Sequence, residues 1–351
     1  MTAHGIGLVA RQEVRTRLRT GRWKVLLAAW FVIVNGLGLL LRLALEADDT
    51  STFGDPGVSM FGNVLFGVLV LTLLVTPALS GQSINGDRER GTLATLQVTR
   101  LTSADIALGK LAAAWGTGLV TLVLTLPCVL WPVAEGTIGL GRAAVVLLVM
   151  ALLIGVVCAV SQAWSAVLAR SVTSVLMSYM TVFGLLVGTP LLYMLAVPIT
   201  TEHKRVDSGY GSYQTSIEHT ERVWWLLAPN PVVVLADAAP RLPKREYVVD
   251  GRVYERTPSN DPLGDLSREV RDIREGDHND VVYSSSSGSP ASGHGHSRST
   301  GSSGRSDRDD EKAVWPYGLL FGLALAAGAV TITTARLRTP LSRVPKGVRV
   351  A

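Results

Sequence analysis

Charge is scarce in this chain and unevenly placed. Asp, Glu, Lys and Arg make up 17% of its 351 residues, and six stretches of about twenty residues carry almost none. With 48% of residues hydrophobic, the apolar excess is too large for an ordinary soluble domain. Cysteine is nearly absent: Cys128 and Cys158 both fall inside apolar stretches, which excludes a disulfide framework or a thiolate zinc site. There is no G-x-x-x-x-G-K-[ST] phosphate loop, no H-E-x-x-H, no G-x-S-x-G and no aspartate pair within the apolar stretches. Nucleotide hydrolysis and the common hydrolase chemistries are therefore excluded for this chain by itself, and no bound cofactor or metal is expected.

What is present is membrane-length hydrophobicity. A hydrocarbon core about 30 Å thick needs roughly 20 apolar residues at 1.5 Å rise each. Residues 25–45, 60–79, 111–133, 143–167, 175–197 and 314–335 meet that length. Their one ionisable side chain is Arg42, near enough to a span end to snorkel outward. Basic residues collect before the first span (Arg11, Arg15, Arg17, Arg19, Arg22, Lys24) and after the last (Arg336, Arg338, Arg343, Lys346, Arg349), whereas the loop after the first span holds Glu46, Asp48, Asp49 and Asp55. Lys and Arg near span ends stay on the cytoplasmic side, so both termini are expected there, as an even number of spans requires. The first apolar run is too long for a signal peptide and lacks a small-x-small cleavage site. The net charge of +5 is explained by basic ends facing anionic membrane lipids, with no nucleic-acid partner needed.

The expected fold is an all-α polytopic membrane protein with six transmembrane helices, cytoplasmic termini and an extracytoplasmic insert. Residues 1–24 read as an interfacial amphipathic helix or a basic lead-in, 25–197 as spans one to five with a cytoplasmic loop at 82–110, 198–312 as the insert, 313–335 as the sixth span and 336–351 as a basic tail. Within the insert, residues 223–240 hold two short apolar pieces split by Pro229, Asn230 and Pro231, a re-entrant or interfacial pattern. Residues 241–276 form a small module: "REYVVDGRVYER" is a hairpin signal around Asp250 and Gly251, and Leu263, Leu266, Val270 and Ile273 share one face of a helix that Gly276 ends. Residues 284–306 are Ser/Gly-rich, a flexible tether that leaves the module on a leash. The "HGH" of His294 to His296 in that tract is more often incidental than metal-binding.

The loop at 82–110 reads "QSINGDRERGTLATLQVTRLTSADIALGK". Charges at Asp87, Arg88, Glu89 and Arg90 precede Gly91, after which Leu93 and Leu96 recur at helical spacing. Thr102 and Asp105 fit a capping-box variant that opens a helix continuing into the third span. Such a charged stretch is often only a solvated loop. This one also spends leucines on a stripe that nothing in the chain is expected to cover, which is how a docking surface for a soluble partner looks.

This stretch resembles the segment after the second span of the ABC-2-type permeases, the membrane subunits of ATP-binding cassette exporters. The positions that carry the resemblance are Glu89, Arg90, Gly91, Thr92, Leu93, Leu96, Gly109 and Lys110. The six spans, the basic lead-in and the "APNP" at 228–231 resemble the family too, whereas the module from Arg241 to Lys312 exceeds its usual external loop. The resemblance implies a multi-pass protein of a prokaryotic cell membrane, exporting a lipid, drug-like molecule or peptide. It implies a dimer of permease subunits, and a separate ABC ATPase subunit that binds ATP and Mg and receives a coupling helix made of Arg88, Glu89, Arg90, Gly91, Thr92, Leu93 and Leu96. A non-transporting membrane scaffold or sensor, with a ligand-binding external module, is the alternative.

Polar residues within spans, chiefly Asn35, Asn63, Gln162 and Tyr179, are candidates to line a cavity, although single amides and hydroxyls more often bond between helices. Gly184 and Gly188, and the ladder of Gly318, Gly322 and Ala326, are candidates for close helix packing.

Overall fold

The computed structural model describes residues 3–19, 21–47, 56–93, 96, 101–208, 211–241, 245–249, 252–256, 261–276 and 313–338. In chain order its helices are α1 (Ala3–Arg19), α2 (Gly21–Ala47), α3 (Pro56–Ser80), α4 (Asn85–Glu89), α5 (Ser103–Leu124), α6 (Leu126–Ala134), α7 (Leu140–Val167), α8 (Ser171–Phe183), α9 (Thr189–Thr200), α10 (Pro231–Ala238), α11 (Pro262–Glu275) and α12 (Trp315–Leu337). A π-turn at Gly184–Gly188 joins α8 and α9 into one length. Six stretches are long and apolar enough to cross a membrane: α2, α3, α5, α7, α8 with α9, and α12. The chain is thus a largely helical, multi-pass membrane protein.

α7 is apolar on every side because it sits in the middle. It buries Val146, Val149, Met150, Leu153 and Ile154 and packs against α3, α5, α8 and α12. At the edges, α2 and α8–α9 leave most of their apolar side chains exposed, among them Val32, Leu40, Leu176 and Leu195. Exposed leucines on a membrane-length helix belong against lipid, where apolar surface needs no protein cover.

The third span departs from the window at 111–133. Helix α5 begins at Ser103, where Thr102 and Asp105 complete a capping box, and stops at Leu124. Pro127 and Pro132 interrupt the residues beyond it: a proline has no N–H for the carbonyl four residues back, so α6 starts anew after Thr125. The Asn35 side-chain amide donates to Leu124 O at 3.0 Å, across from the first span, and takes up one of the carbonyls at this break.

The insert also departs from its expected form. A hairpin that the sequence pattern does not anticipate, β1 (Thr201–Ser208) with β2 (Gly211–Glu218), continues directly from the fifth span. The anticipated one pairs β3 (Arg245–Val249) with β4 (Arg252–Arg256), Val249 opposite Arg252. Helix α11 runs to Gly276, whose φ of +70° stops it. It is not on a leash: Leu263, Val270 and Ile273 are buried, and α11 packs on α10 and on the start of α3. The Ser/Gly tract and the histidine pair lie outside the described residues.

The two ends of the bundle therefore differ in content. One, the α1 end, gathers α1, α4, the α7–α8 corner and the end of α12. The other, the insert end, gathers α6, both hairpins, α10 and α11.

Candidate functional site

At the α1 end the chain leaves α3 and turns through residues 81–84 into α4. The turn is stitched to the α7–α8 corner. Ile84 and Asn85 each donate a backbone N–H to Ser165 Oγ at 3.1 Å, and Ser174 Oγ donates to Gly81 O at 2.6 Å. Asn85, fully buried, accepts from Arg88 Nη1 at 2.8 Å, and the same guanidinium nitrogen reaches Leu168 O at 3.2 Å. Glu89 accepts from the hydroxyl of Ser171 at 2.7 Å and from its backbone N–H at 3.3 Å. Helix α4 ends there because Gly91 takes φ +71°, a left-handed conformation that favours glycine.

The coupling-helix residues therefore do not form one helix from Arg88 to Leu96. Residues 85–89 are α4, and Thr92, Leu93 and Leu96 come after the reversal at Gly91. Nor is the leucine stripe uncovered. Leu93 is 5% exposed, packed among Ile84, Ile106, Ala107, Ala166 and Leu337, with Leu96 against the same cluster. That burial of a leucine is worth about 2 kcal/mol, and it comes from three distant spans that periodicity alone does not reveal. What faces outward is polar: Glu89, Arg90 and Thr92 are exposed, with Gly91 half-buried between them.

Beneath this surface lies Lys110, 2% exposed inside the third span. Its ammonium sits 2.5 Å from Asp87 Oδ2 and 3.5 Å from Glu13 Oε2, and donates to Ser83 O at 2.9 Å. A buried ammonium needs such partners, since removing it from water uncompensated costs several kcal/mol. One residue earlier, Gly109 lets α1 approach: a Cβ there would come within 2.6 Å of Val9 Cβ and 2.9 Å of Ile6 O. The Gly109–Lys110 pair thus fastens α1 and α4 to α5. Both residues carry the family resemblance, but the sequence pattern does not disclose their ion pair. A lysine at the start of a span, with acids such as Glu13 and Asp87 in the segments flanking it, was the available signal.

The four polar candidates for a cavity form no common wall. Asn35 donates to Phe31 O and Leu124 O, Asn63 to Ser59 O, Gln162 to Ala107 O and Tyr179 to Leu74 O. They bond within and between helices. A cavity of about 50 Å³ lies elsewhere, between α2, α3 and α5 in the half nearer the α1 end. Trp23, Trp30, Thr72, Thr76, Ser80 and Thr117 are among the side chains lining it, and Trp30 Nε1 donates to Thr121 O at 3.2 Å.

Of the small-residue candidates, Gly318 lies under Ala228 O and Val234, where a Cβ would come within 2.0 Å and 2.4 Å. Gly322 faces Val156, and Ala326 packs with Ala159 and Ala163. This ladder joins α12 to α7 and α10. Gly184 and Gly188 instead bound the π-turn, where a built Cβ meets no other element among the described residues, so they form no packing face with those residues.

At the insert end the side chain of Asp237 is fully buried. It accepts from Arg271 Nε at 2.6 Å, Ser267 Oγ at 3.0 Å, and the backbone N–H groups of Val314 and Trp315 at 2.6 and 2.9 Å. One carboxylate thereby ties α10, α11 and the start of α12 together. Arg274 adds a second tie, its guanidinium 4.6 Å from the Trp224 ring centre and 5.0 Å from that of Tyr317. No protein-family model matches the chain, and neither does any curated protein. Among the described residues, no three His, Cys, Asp or Glu side chains converge as a metal site would require.

Proposed function

We propose that the chain is the permease subunit of an ABC-2-type exporter, working with a separate ATPase that docks at the α1 end. The observation that carries this reading is mechanical. An exposed polar patch, Glu89, Arg90 and Thr92, lies at the end of α4 and just past the reversal at Gly91, and α4 is joined through Asp87 to Lys110 in the third span. A force applied to the patch reaches a membrane helix through one ion pair and the Leu93 cluster, without passing through a long loop. The contact offered to the ATPase is charged rather than leucine-based. Opposite charge on the ATPase groove then steers association and fixes register.

In this reading the α1 end is cytoplasmic, as the basic residues before α2 and after α12 favour, and the insert is extracytoplasmic. Two copies form the membrane unit in the cell membrane, and ATP with Mg stays on the ATPases. The cavity between α2, α3 and α5 has indole and hydroxyl walls and no charge, but at about 50 Å³ it is too small in this conformation to hold a lipid, drug-like molecule or peptide. A membrane sensor reading the insert is the second possibility, favoured by the Asp237 tie between α11 and α12.

The test is co-expression with a phosphate-loop ATPase, sought first in the reading frames next to this one, and reconstitution of the pair. Arg90→Glu, on an exposed side chain, should leave the subunit folded and inserted while lowering permease-stimulated ATP hydrolysis at least tenfold. A compensating acid-to-base change in the ATPase groove should restore it. Undiminished stimulation in Arg90→Glu would sink the docking assignment, and no complex with any phosphate-loop ATPase would favour the sensor.

A further inference from the structure

The fifth span changes character half-way. Helix α8 buries Ser174, Ser178 and Val182, whereas α9 buries Thr189 alone. Between them the chain widens into the π-turn at Gly184–Gly188, closed by the Thr189 N–H on Gly184 O. The cause lies one residue on. Pro190 has no N–H, so in an α-helix Leu186 O, and in a π-helix Leu185 O, loses its donor. In a membrane such a carbonyl must find another partner.

Both carbonyls have one. Thr189 Oγ1 donates to Leu185 O at 2.8 Å. Leu186 O accepts from the side-chain amide of Asn230 at 3.1 Å, and that amide also lies 3.1 Å from Thr189 Oγ1. Asn230 is 4% exposed and belongs to the turn before α10. Its orientation is fixed independently, because its Oδ1 accepts the Val232 N–H at 2.9 Å as the N-cap of α10. The nitrogen is therefore the atom turned toward the fifth span.

We infer that the π-turn is a hinge in the fifth span and that Asn230 is its latch, holding α9 to α10 through the carbonyl that Pro190 leaves free. Three features fit a hinge rather than a fixed kink. Among the described residues no atom lies within 4 Å of a Cβ built at Gly184 or Gly188, so both ends of the turn are uncrowded, and Leu186 alone of the turn packs against the main core. Beyond the turn, Leu191, Leu192, Met194, Leu195 and Ile199 are all more than half exposed, so lipid can follow the movement at little cost. The latch also lies on α10, which packs against Gly318 at the start of α12, so its release loosens the insert end on two spans together. The inference does not depend on the transporter reading.

The test compares the full chain in lipid nanodiscs, cysteine-free apart from spin labels at Met177 and Leu195 on either side of the turn. Asn230→Ser keeps an oxygen to cap α10 and removes the donor that reaches Leu186. It should broaden the label distance distribution and raise amide exchange at residues 187–193 about fivefold, the factor that one lost hydrogen bond implies. Adding Pro190→Ala restores a backbone N–H for Leu186 O and should return both readings to those of the parent. A parent-like Asn230→Ser protein overturns the latch. So does a double variant that stays as mobile as the single one, because the effect would then come from α10 and not from the freed carbonyl.

Discussion

The two ends of the bundle each bury a charge, and they bury it differently. At the α1 end the buried group is a cation, Lys110, and its anions sit nearer water, with 15% of the Asp87 side chain and 28% of the Glu13 side chain exposed. At the insert end the buried group is an anion, Asp237, 0% exposed and held by four donors. The first arrangement is open. Its anions can turn to water or to another cation without being stranded in a dry interior. The second is closed, since any displacement of Asp237 takes an acceptor from a guanidinium, a buried hydroxyl and two backbone N–H groups at once. Under the proposed function the open network lies where a partner would push and the closed one where the frame must hold.

Breaking the closed network should have the largest effect. Asp237→Ala removes the common acceptor of four donors, the Arg271 guanidinium among them, a loss of about 3–5 kcal/mol. We expect the thermal midpoint in detergent, monitored by tryptophan fluorescence, to fall steeply and protease sites in α11 to open. If Asp237→Ala melts like the parent, the insert end is not fixed by this carboxylate.

Breaking the open network should cost less. Lys110→Met keeps length and bulk, removes the charge, and leaves anions that reach water, so the loss is about 2 kcal/mol. The same melt should show a smaller drop than Asp237→Ala, with exchange protection lost locally in α1 and α4. A larger drop for Lys110→Met would reverse the comparison.

How much of this was legible in the sequence depends on the range of each interaction. The six spans were legible because hydrocarbon thickness imposes a length, and the Thr102–Asp105 cap and α11 because their signals lie within one or two turns. The fate of Leu93 was not: a leucine beside charges looks the same whether it meets a partner or folds under Ala166 and Leu337. Hairpin β1–β2 was missed because "TEHKRVDS" is polar apart from Val206, with no alternation to mark a strand. The glycines at 184 and 188 had the spacing of a packing motif, but Pro190 two residues later decided their geometry. The extent of the third span was misjudged because hydropathy does not register the prolines at 127 and 132. Within the candidate site, the charged residues were legible and the ion pair was not, because Asp87 and Lys110 meet only after the chain has turned back on itself.

A third charged cluster separates burial from location and should show the smallest effect of the set. Arg42, near the insert end of α2, donates to Glu46 at 2.5 Å and to Glu135 at 2.7 Å, and the Trp131 indole N–H donates to the other Glu135 oxygen at 2.8 Å. It shares an end with Asp237 but resembles the α1 end in openness, since about a third of the Glu135 side chain is exposed, 34%. The hydrogen bond from Arg42, then that from Trp131, holds the Glu135 carboxyl below its ordinary value. A carboxylate whose folded value is lowered stabilises the fold above the unfolded value, about 4.3 for glutamate, and loses that contribution as pH falls through the lowered one. Melts of the parent and of Glu135→Gln should therefore differ by a small, constant amount from neutral pH down to about 5 and converge only in stronger acid. Exposed pairs contribute little, so a gap as large as that of Asp237→Ala would mean that position at the insert end, and not burial, sets the strength of these networks.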